Sequence, residues 1–213
     1  MDTIKSKYHE TLAATVIKNL EKRQMEGYYC PTVEDAEKLA FSFLKDGQTV
    51  SFGGSMTLEE TGMLTALRHD PSIHLIDRST AKTPDETKKM YHAALSSDVY
   101  FMSTNAITTG GELVNIDGTG NRVAALIYGP ETVVILAGMN KIAANVDEAL
   151  SRVHNVATAQ NCIRLDKKTP CAITGACADC LSPDCICNQV VITRRSGIKG
   201  RIKVLLIGES FGY

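Results

Sequence analysis

The stretch Thr49-Val-Ser-Phe-Gly-Gly-Ser-Met-Thr-Leu-Glu-Glu-Thr-Gly62 decides the fold. Four β-prone residues run into two glycines, and Ser55 then stands in the cap position before a helically periodic segment, so the chain passes from strand through a tight turn into a helix. The rhythm continues downstream. Residues 56–68 have helical spacing, 73–76 read as a strand, 85–95 as a helix and 99–102 as a strand. Strand and helix in alternation imply parallel strands joined by crossovers.

Upstream, residues 4–25 place Ile4, Tyr8, Leu12, Val16, Ile17 and Leu20 on one helical stripe that Gly27 ends, and a second helix starts at the capping sequence Thr32-Val-Glu-Asp and stops at Asp46-Gly47. Residues 1–46 therefore read as a helical N-terminal arm. Its polar face carries Lys5, Lys7, Lys18, Glu21, Lys22 and Arg23, so it packs by one side, and a second copy of the chain is one surface it suits. Downstream, residues 112–116 and 122–127 flank Asp117-Gly-Thr-Gly-Asn121 as a hairpin would, residues 132–137 read as a buried strand and 146–156 as a helix. Strands at 190–192 and 202–207 follow. The expectation is one α/β domain over residues 1–213, with a mostly parallel mixed sheet flanked by helices.

Composition bounds the function. With 44% hydrophobic and 22% charged residues in 213, the chain can bury a full core. Its formal net charge of -1 lacks the basic excess of a general nucleic-acid surface, and no run approaches the roughly 20 apolar residues of a membrane span. The basic residues from Thr193 to Lys203, Arg201 among them, read as the solvated face of two strands. The opening MDTIKSKYHE has no apolar signal segment, which points to a reducing, cytoplasmic setting.

Two constellations suit an anionic small molecule. In the first, Gly53 and Gly54 permit positive backbone angles and close approach, while Ser55 and Thr57 add hydroxyls at a helix start; a phosphate, a carboxylate or a plain capped turn all satisfy this pattern. The second runs from Asn105 through Thr108, Gly110, Gly111 and Glu112 to Asn115, with Asp117, Asn121 and Arg122, at the carboxyl end of a strand where open sheets gather ligands. Glu112 is a candidate base or nucleophile, set against a solvated hairpin carboxylate, and Arg122 and Lys141 are candidate cations for the same ligand. The histidines, His9, His69, His74, His92 and His154, show no metal-type spacing and read as structural.

Six of the seven cysteines fall between Cys162 and Cys187, a Cys-rich insertion over residues 160–189. The spacing is Cys-x8-Cys-x5-Cys-x2-Cys-x4-Cys-x-Cys, and Cys177 and Cys180 form a knuckle that suits an iron–sulfur cluster or zinc, against reduced structural thiols or a disulfide. The expected ligands are Cys171, Cys177, Cys180 and Cys187, with Cys162 in reserve and Cys185 spare, since neighbours one residue apart face opposite ways in extended chain. Cys30 stands alone as a small buried hydrophobe.

These motifs carry a resemblance. Gly53-Gly-Ser-Met-Thr-Leu-Glu-Glu-Thr-Gly62, Asn105-Ala-Ile-Thr, Gly-Glu-Leu-Val, Gly-Asn-Arg-Val and Gly138-Met-Asn-Lys141 resemble the LUD-domain family of lactate utilization proteins over residues 5–160. The resemblance implies the fold shared by ribose-5-phosphate isomerase A, glucosamine-6-phosphate isomerase and coenzyme A transferases. It also implies an accessory role in L-lactate or related organic-acid oxidation beside iron–sulfur oxidoreductase subunits. The alternative is a stand-alone isomerase- or transferase-like enzyme taking a phosphorylated sugar, organic acid or coenzyme A thioester at Gly53-Gly54-Ser55, with Glu112, Arg122 or Lys141 as the catalytic residue. In proteins close to the lactate utilization C subunit a glutamate falls opposite Thr109, three positions before Glu112, so a role for Glu112 rests on its own surroundings. The cysteine segment and the tail to Tyr213 resemble an uncharacterised branch of the same family.

Overall fold

The computed structural model describes residues 3–213. In its first half the elements are α1 (Thr3–Lys22), β1 (Glu26–Cys30), α2 (Val33–Phe41), β2 (Thr49–Phe52), α3 (Met56–Glu60), α4 (Met63–His69), β3 (His74–Ile76), α5 (Pro84–Ala94) and β4 (Val99–Met102). There follow β5 (Ala106–Thr108), β6 (Leu113–Asp117), α6 (Asn121–Ile127), β7 (Thr132–Gly138), β8 (Ile142–Ala143), α7 (Val146–Arg152), α8 (Ala159–Arg164), α9 (Pro170–Thr174), β9 (Gln189–Thr193) and β10 (Ile202–Ile207).

Six strands form one parallel sheet in the order β1-β10-β7-β4-β2-β3. The centre is apolar without alternation because both faces are covered. Along β7, Val133, Ile135 and Ala137 face Ala13, Val16 and Leu20 of α1, while Val134 and Leu136 face the side of Ala36 and Ala40 of α2 and Leu64 and Leu67 of α4. Strand period two thus feeds two separate cores. From β2 the chain steps outward to β3, returns across to β4 and continues to β7, so the winding reverses between β2 and β4. Ligands gather at such a reversal.

The second sheet, β8-β5-β6-β9, is mixed, with β5 parallel to β8 and antiparallel to β6, and β6 antiparallel to β9. Its inner face packs Ala106, Val114 and Ile116 against Ala149 and Val153. The expected single mixed sheet is therefore two sheets, and the mixing is confined to the smaller one.

Other departures have local causes. The N-terminal segment expected to be a helical arm also contains a strand, β1, which pairs with β10 from Glu26↔Lys203 to Cys30↔Ile207. Its helix already ends at Lys22, where Gln24 takes a left-handed φ of 60°, so Gly27 lies inside a strand rather than behind a helix. Thr32 caps α2 as expected, accepting from the Asp35 amide. The helix expected over 56–68 breaks at Gly62, which has φ 73°. Residues 122–127 are the helix α6, launched from left-handed Gly120, and the hairpin is β5–β6, turned at left-handed Gly111. The helix expected over 146–156 runs on through the wide π-type turns of Val153–Thr158 into α8. Arg201 is not solvated: it is buried, and its guanidinium donates to the carbonyls of Pro130, Leu126 and Ala125 at 2.9, 2.6 and 2.8 Å.

Candidate functional site

Every parallel strand ends on the same side, and a pocket of about 390 Å³ opens there. That volume is in the range of small-molecule sites, roughly 300–1,000 Å³. Its floor comes from residues just past the strand ends: Gly54 to Thr57 after β2, Arg78 after β3, Ser103 to Asn105 after β4 and Lys141 after β7. Gly212 covers one side and the helical run from Ala157 to Leu165, with Ile186, forms the far wall.

Lys141 is the most unusual group here. Its side chain is buried, and Nζ donates to Thr57 Oγ1 at 2.8 Å and to Ser103 Oγ at 3.0 Å. Burial, followed by the nearby positive charges of Arg152 and Arg122, depresses its pKa from 10.5 to about 7. Arg152 also ties the backbone next to Lys141 to the segment after β4, donating to the carbonyls of Asn140 at 3.0 Å and Asn105 at 2.9 Å. Gly212 packs over the amine, with φ 62°; a Cβ there would lie 2.6 Å from Thr57 Oγ1 and 3.3 Å from Nζ. Gly212→Val is expected to push this tail off Thr57 and to cost about 1–3 kcal/mol of stability from the left-handed backbone, measured by thermal unfolding.

Arg122 is a pillar behind the pocket. It donates to the Ser103 carbonyl, Asn115 Oδ1, Asn105 Oδ1 and the Ile116 carbonyl, at 3.0, 2.5, 2.9 and 2.8 Å, and lies 3.5 Å from Asp117. Asp117 also accepts from the amides of Thr119, Gly120 and Val123, so its charge is already consumed. Asn105 lines the pocket, but its Oδ1 is tied to Arg122 and the Ile116 amide.

Gly53 and Gly54 are not in the left-handed region. They serve close approach instead: a Cβ on Gly53 would sit 3.0 Å from Arg122 Cγ and one on Gly54 would meet Arg78 Nη2. Ser55 caps α3, accepting from the Leu58 amide at 3.3 Å, and Thr57 is bound to Lys141, so the turn is both a cap and a pocket edge.

Glu112 and Thr108 lie outside the pocket lining. Glu112 pairs with Arg23, the residue just past α1, and accepts from Thr108 Oγ1, and Arg23 also donates to the Gly110 carbonyl at 2.6 Å. Burial opposes the Glu112 charge, yet the Thr108 bond and Arg23 outweigh it and hold the carboxyl below its usual range. Here it fastens α1 to the hairpin.

Arg78, Tyr91 and Arg164 are among the pocket residues that sequence reading missed. Arg78 Nη1 donates to Tyr91 Oη at 3.2 Å and the guanidinium stacks 5.5 Å above that ring; no carboxylate lies within ion-pair reach among the described residues. Its signal was position, two residues past a parallel strand. Arg164 gave none, because it arrives on a helix continued by the π turns.

The thiols group differently from the expected ligand set. Cys162 and Cys171 are buried neighbours, Cys171 Sγ lies 3.3 Å from Thr169 Oγ1, and the Cys187 amide donates to Cys185 Sγ at 3.3 Å. Burial, then Cys185, pushes the Cys187 thiol up to about 12, and Cys162 adds to the rise. Cys162, Cys171, Cys185 and Cys187 thus converge behind the far wall. Cys177 stands apart, its Sγ 3.7 Å from His154 Nδ1, and no interaction joins Cys180 to the four among the described residues. Soft sulfur suits zinc or an iron–sulfur cluster, yet among the described residues no three His, Cys, Asp or Glu are arranged to hold a metal ion. Cys30 is buried, as expected of a small hydrophobe.

The LUD domain model matches residues 13–207. The chain belongs to the LUD domain family. The matched span includes the cysteine segment and β10, beyond the residues 5–160 over which the motifs resemble it. No curated protein sequence matches this LUD-domain chain. Among solved structures it is similar to a DUF162 family protein from Deinococcus radiodurans, with TM-score 0.52 and 10% identity, covering 93% of this chain and 98% of that one. It also matches ribose 5-phosphate isomerase A from Methanocaldococcus jannaschii, with TM-score 0.33 and 19% identity over 53% of this chain and 54% of that one. For eIF2B delta from Chaetomium thermophilum the values are 0.34, 21%, 52% and 48%. The chain spans about half the length of these last two, and likenesses so slight say nothing of function. No helix among the described residues is long and apolar enough to cross a membrane.

Proposed function

We propose that this LUD-domain protein binds a small organic anion, a carboxylate or phosphate ester, in the pocket beyond the parallel strands and acts on it through Lys141. One observation carries the reading: four basic side chains, Arg78, Arg122, Lys141 and Arg164, line a pocket whose single acidic side chain, Asp117, is already paired with Arg122. Arg78 and Arg164, with no carboxylate within ion-pair distance among the described residues, are positive groups that attract anions into this partly desolvated cleft. Arg78 and Arg164 supply attraction at the mouth, whereas Lys141 is the reactive group at the closed end.

The test is a thermal-shift and calorimetric screen of the full chain with phosphate, lactate, phosphorylated sugars and coenzyme A. At least one anion is expected to raise the melting temperature, and Arg78→Gln is expected to weaken it by roughly 10- to 150-fold, the loss of one charge-assisted bond of about 1.5–3 kcal/mol. A flat response to all four classes overturns the proposal.

A second reading is favoured by one feature. Ile186, between Cys185 and Cys187, lines the pocket, and Thr158, another lining residue, lies near enough to the Cys187 thiol to oppose the rise in its pKa. A metal or iron–sulfur centre in that wall would lie beside the bound anion, as an accessory role in lactate or related organic-acid oxidation requires, with iron–sulfur oxidoreductase subunits as partners. Metal analysis of anaerobically purified protein tests it. Stoichiometric iron or zinc that falls with Cys171→Ser supports the reading, and metal-free protein refutes it.

A further inference from the structure

We propose that Lys141 is a nucleophile that forms an imine with a small anion bearing an aldehyde or ketone, such as a 2-oxo carboxylate or a phosphorylated aldose. This deepens the anion-binding reading above and rests on it.

The hydrogen bonds around the amine carry the inference. A neutral lysine has two N–H bonds and one lone pair, whereas the ammonium form has three N–H bonds. Nζ has two partners among the described residues, the hydroxyl oxygens of Thr57 and Ser103. Each hydroxyl is already committed as a donor elsewhere, Thr57 to the Phe211 carbonyl and Ser103 to the Thr104 carbonyl, both at 3.3 Å. Both must therefore accept from the lysine. The two acceptors match the two N–H bonds of the neutral amine and leave its lone pair unengaged. No carboxylate lies within ion-pair distance of Nζ among the described residues, and the more distant Glu60 favours the ammonium less than burial and the charges of Arg152 and Arg122 oppose it. The depressed pKa agrees with this geometry. Arg78 and Arg164 line the same pocket, so a ligand carrying both an anionic group and a carbonyl matches it.

The step balances without any further reagent. The Nζ lone pair forms a C–N bond to the carbonyl carbon as the C=O π pair moves to oxygen. One N–H proton passes to that oxygen to give a carbinolamine. Loss of water, the hydroxyl leaving with the remaining N–H proton, gives the neutral imine; once its nitrogen takes a proton from solvent, the iminium draws electrons from the adjacent carbon and loosens its C–H bond.

The test is reductive trapping. The full chain is incubated with pyruvate or with ribose 5-phosphate and sodium cyanoborohydride, and its mass is measured intact and after peptide mapping. One of the two is expected to add its own mass less one oxygen, at Lys141, at least tenfold faster than at any other lysine. Which one reacts distinguishes a 2-oxo carboxylate from a phosphorylated aldose. Lys141→Arg is expected to lose this adduct, and mapping of the parent protein gives the answer even if that variant does not fold. Labelling spread over surface lysines, or no labelling of Lys141 by either compound, overturns the proposal. Phosphate and lactate have no carbonyl, so a thermal shift with them alongside failed trapping sinks the imine and leaves the anion-binding reading standing.

Discussion

Arg122→Met is expected to destabilise the protein by about 3–5 kcal/mol, which is a large share of a stability of roughly 5–15 kcal/mol. The guanidinium serves four acceptors on β6 and on the segment after β4, and pairs with Asp117. Methionine fills similar volume but leaves the Ser103 and Ile116 carbonyls without this donor and Asp117 without its cation. A buried charge deprived of its partner accounts for most of the cost. Because Asp117 keeps three backbone amides, the loss falls short of stranding a wholly unsolvated carboxylate. Urea unfolding at neutral pH measures it. Arg122→Lys should fall between the two, since an ammonium keeps the charge but cannot reach four acceptors in the plane of a guanidinium. A loss below about 1 kcal/mol for the methionine variant would show that the pillar does not hold the two sheets together.

Lys141→Met is expected to change how stability depends on pH, in the direction opposite to the usual loss. The folded pKa of about 7 lies below the ordinary 10.5, so between these values the unfolded chain binds more protons than the folded one. The parent should therefore gain stability as pH rises from about 7 to about 10.5. Below pH 7 both states are protonated and the full cost of burying the ammonium is present. Methionine removes that cost. Relative to the parent, the variant should be most favoured near pH 6, and the advantage should shrink toward pH 10. The lost bonds to Thr57 and Ser103 shift the whole curve but not its slope, and both hydroxyls keep their carbonyl acceptors. Melting temperatures of the two proteins across this range decide the matter, and parallel curves would mean that Lys141 titrates normally. The same variant should lose the fast carbonyl adduct that maps to position 141 and keep only slow labelling of other lysines, so a stabilised protein without the site-specific reaction is the expected result.

Much of the fold was legible in the sequence for local reasons. The runs 49–52, 99–102 and 132–137 are apolar and β-prone over a length that a buried parallel strand requires, and Thr32, Ser55 and the proline and acidic residues at the start of α5 mark helix beginnings with short-range hydrogen bonds. Lys141 and Arg122 were also visible as candidate cations, and both line the pocket. Where a backbone signal had two meanings, local reading failed. Gly27 looks like a helix stop but lies in β1, and the sequence Gly120-Asn-Arg-Val starts a helix instead of the second arm of a hairpin, because a left-handed glycine serves either turn.

The nature of the site followed from long-range pairings that carry no local mark. Glu112 and Lys141 look equally suitable as chemical groups in sequence. Tertiary structure pairs Glu112 with Arg23, 89 positions earlier, and brings Lys141 to Thr57, 84 positions earlier. One carboxylate is thereby neutralised as a fastener, while one amine is buried without an ion-pair partner among the described residues. The cysteines show the same division, since spacing names soft ligands but cannot say that the helical run from Val146 to Arg164 brings Cys162 against Cys171 and near Cys185. The sequence alone determined the alternating elements, the glycine turn and the crowding of sulfur, because hydrophobic period, capping and composition act within a few residues. Only the tertiary structure decided which charges are paired, which amine is desolvated and which side chains share the pocket, because burial and hydrogen-bond partners are set by contacts between residues far apart in the chain.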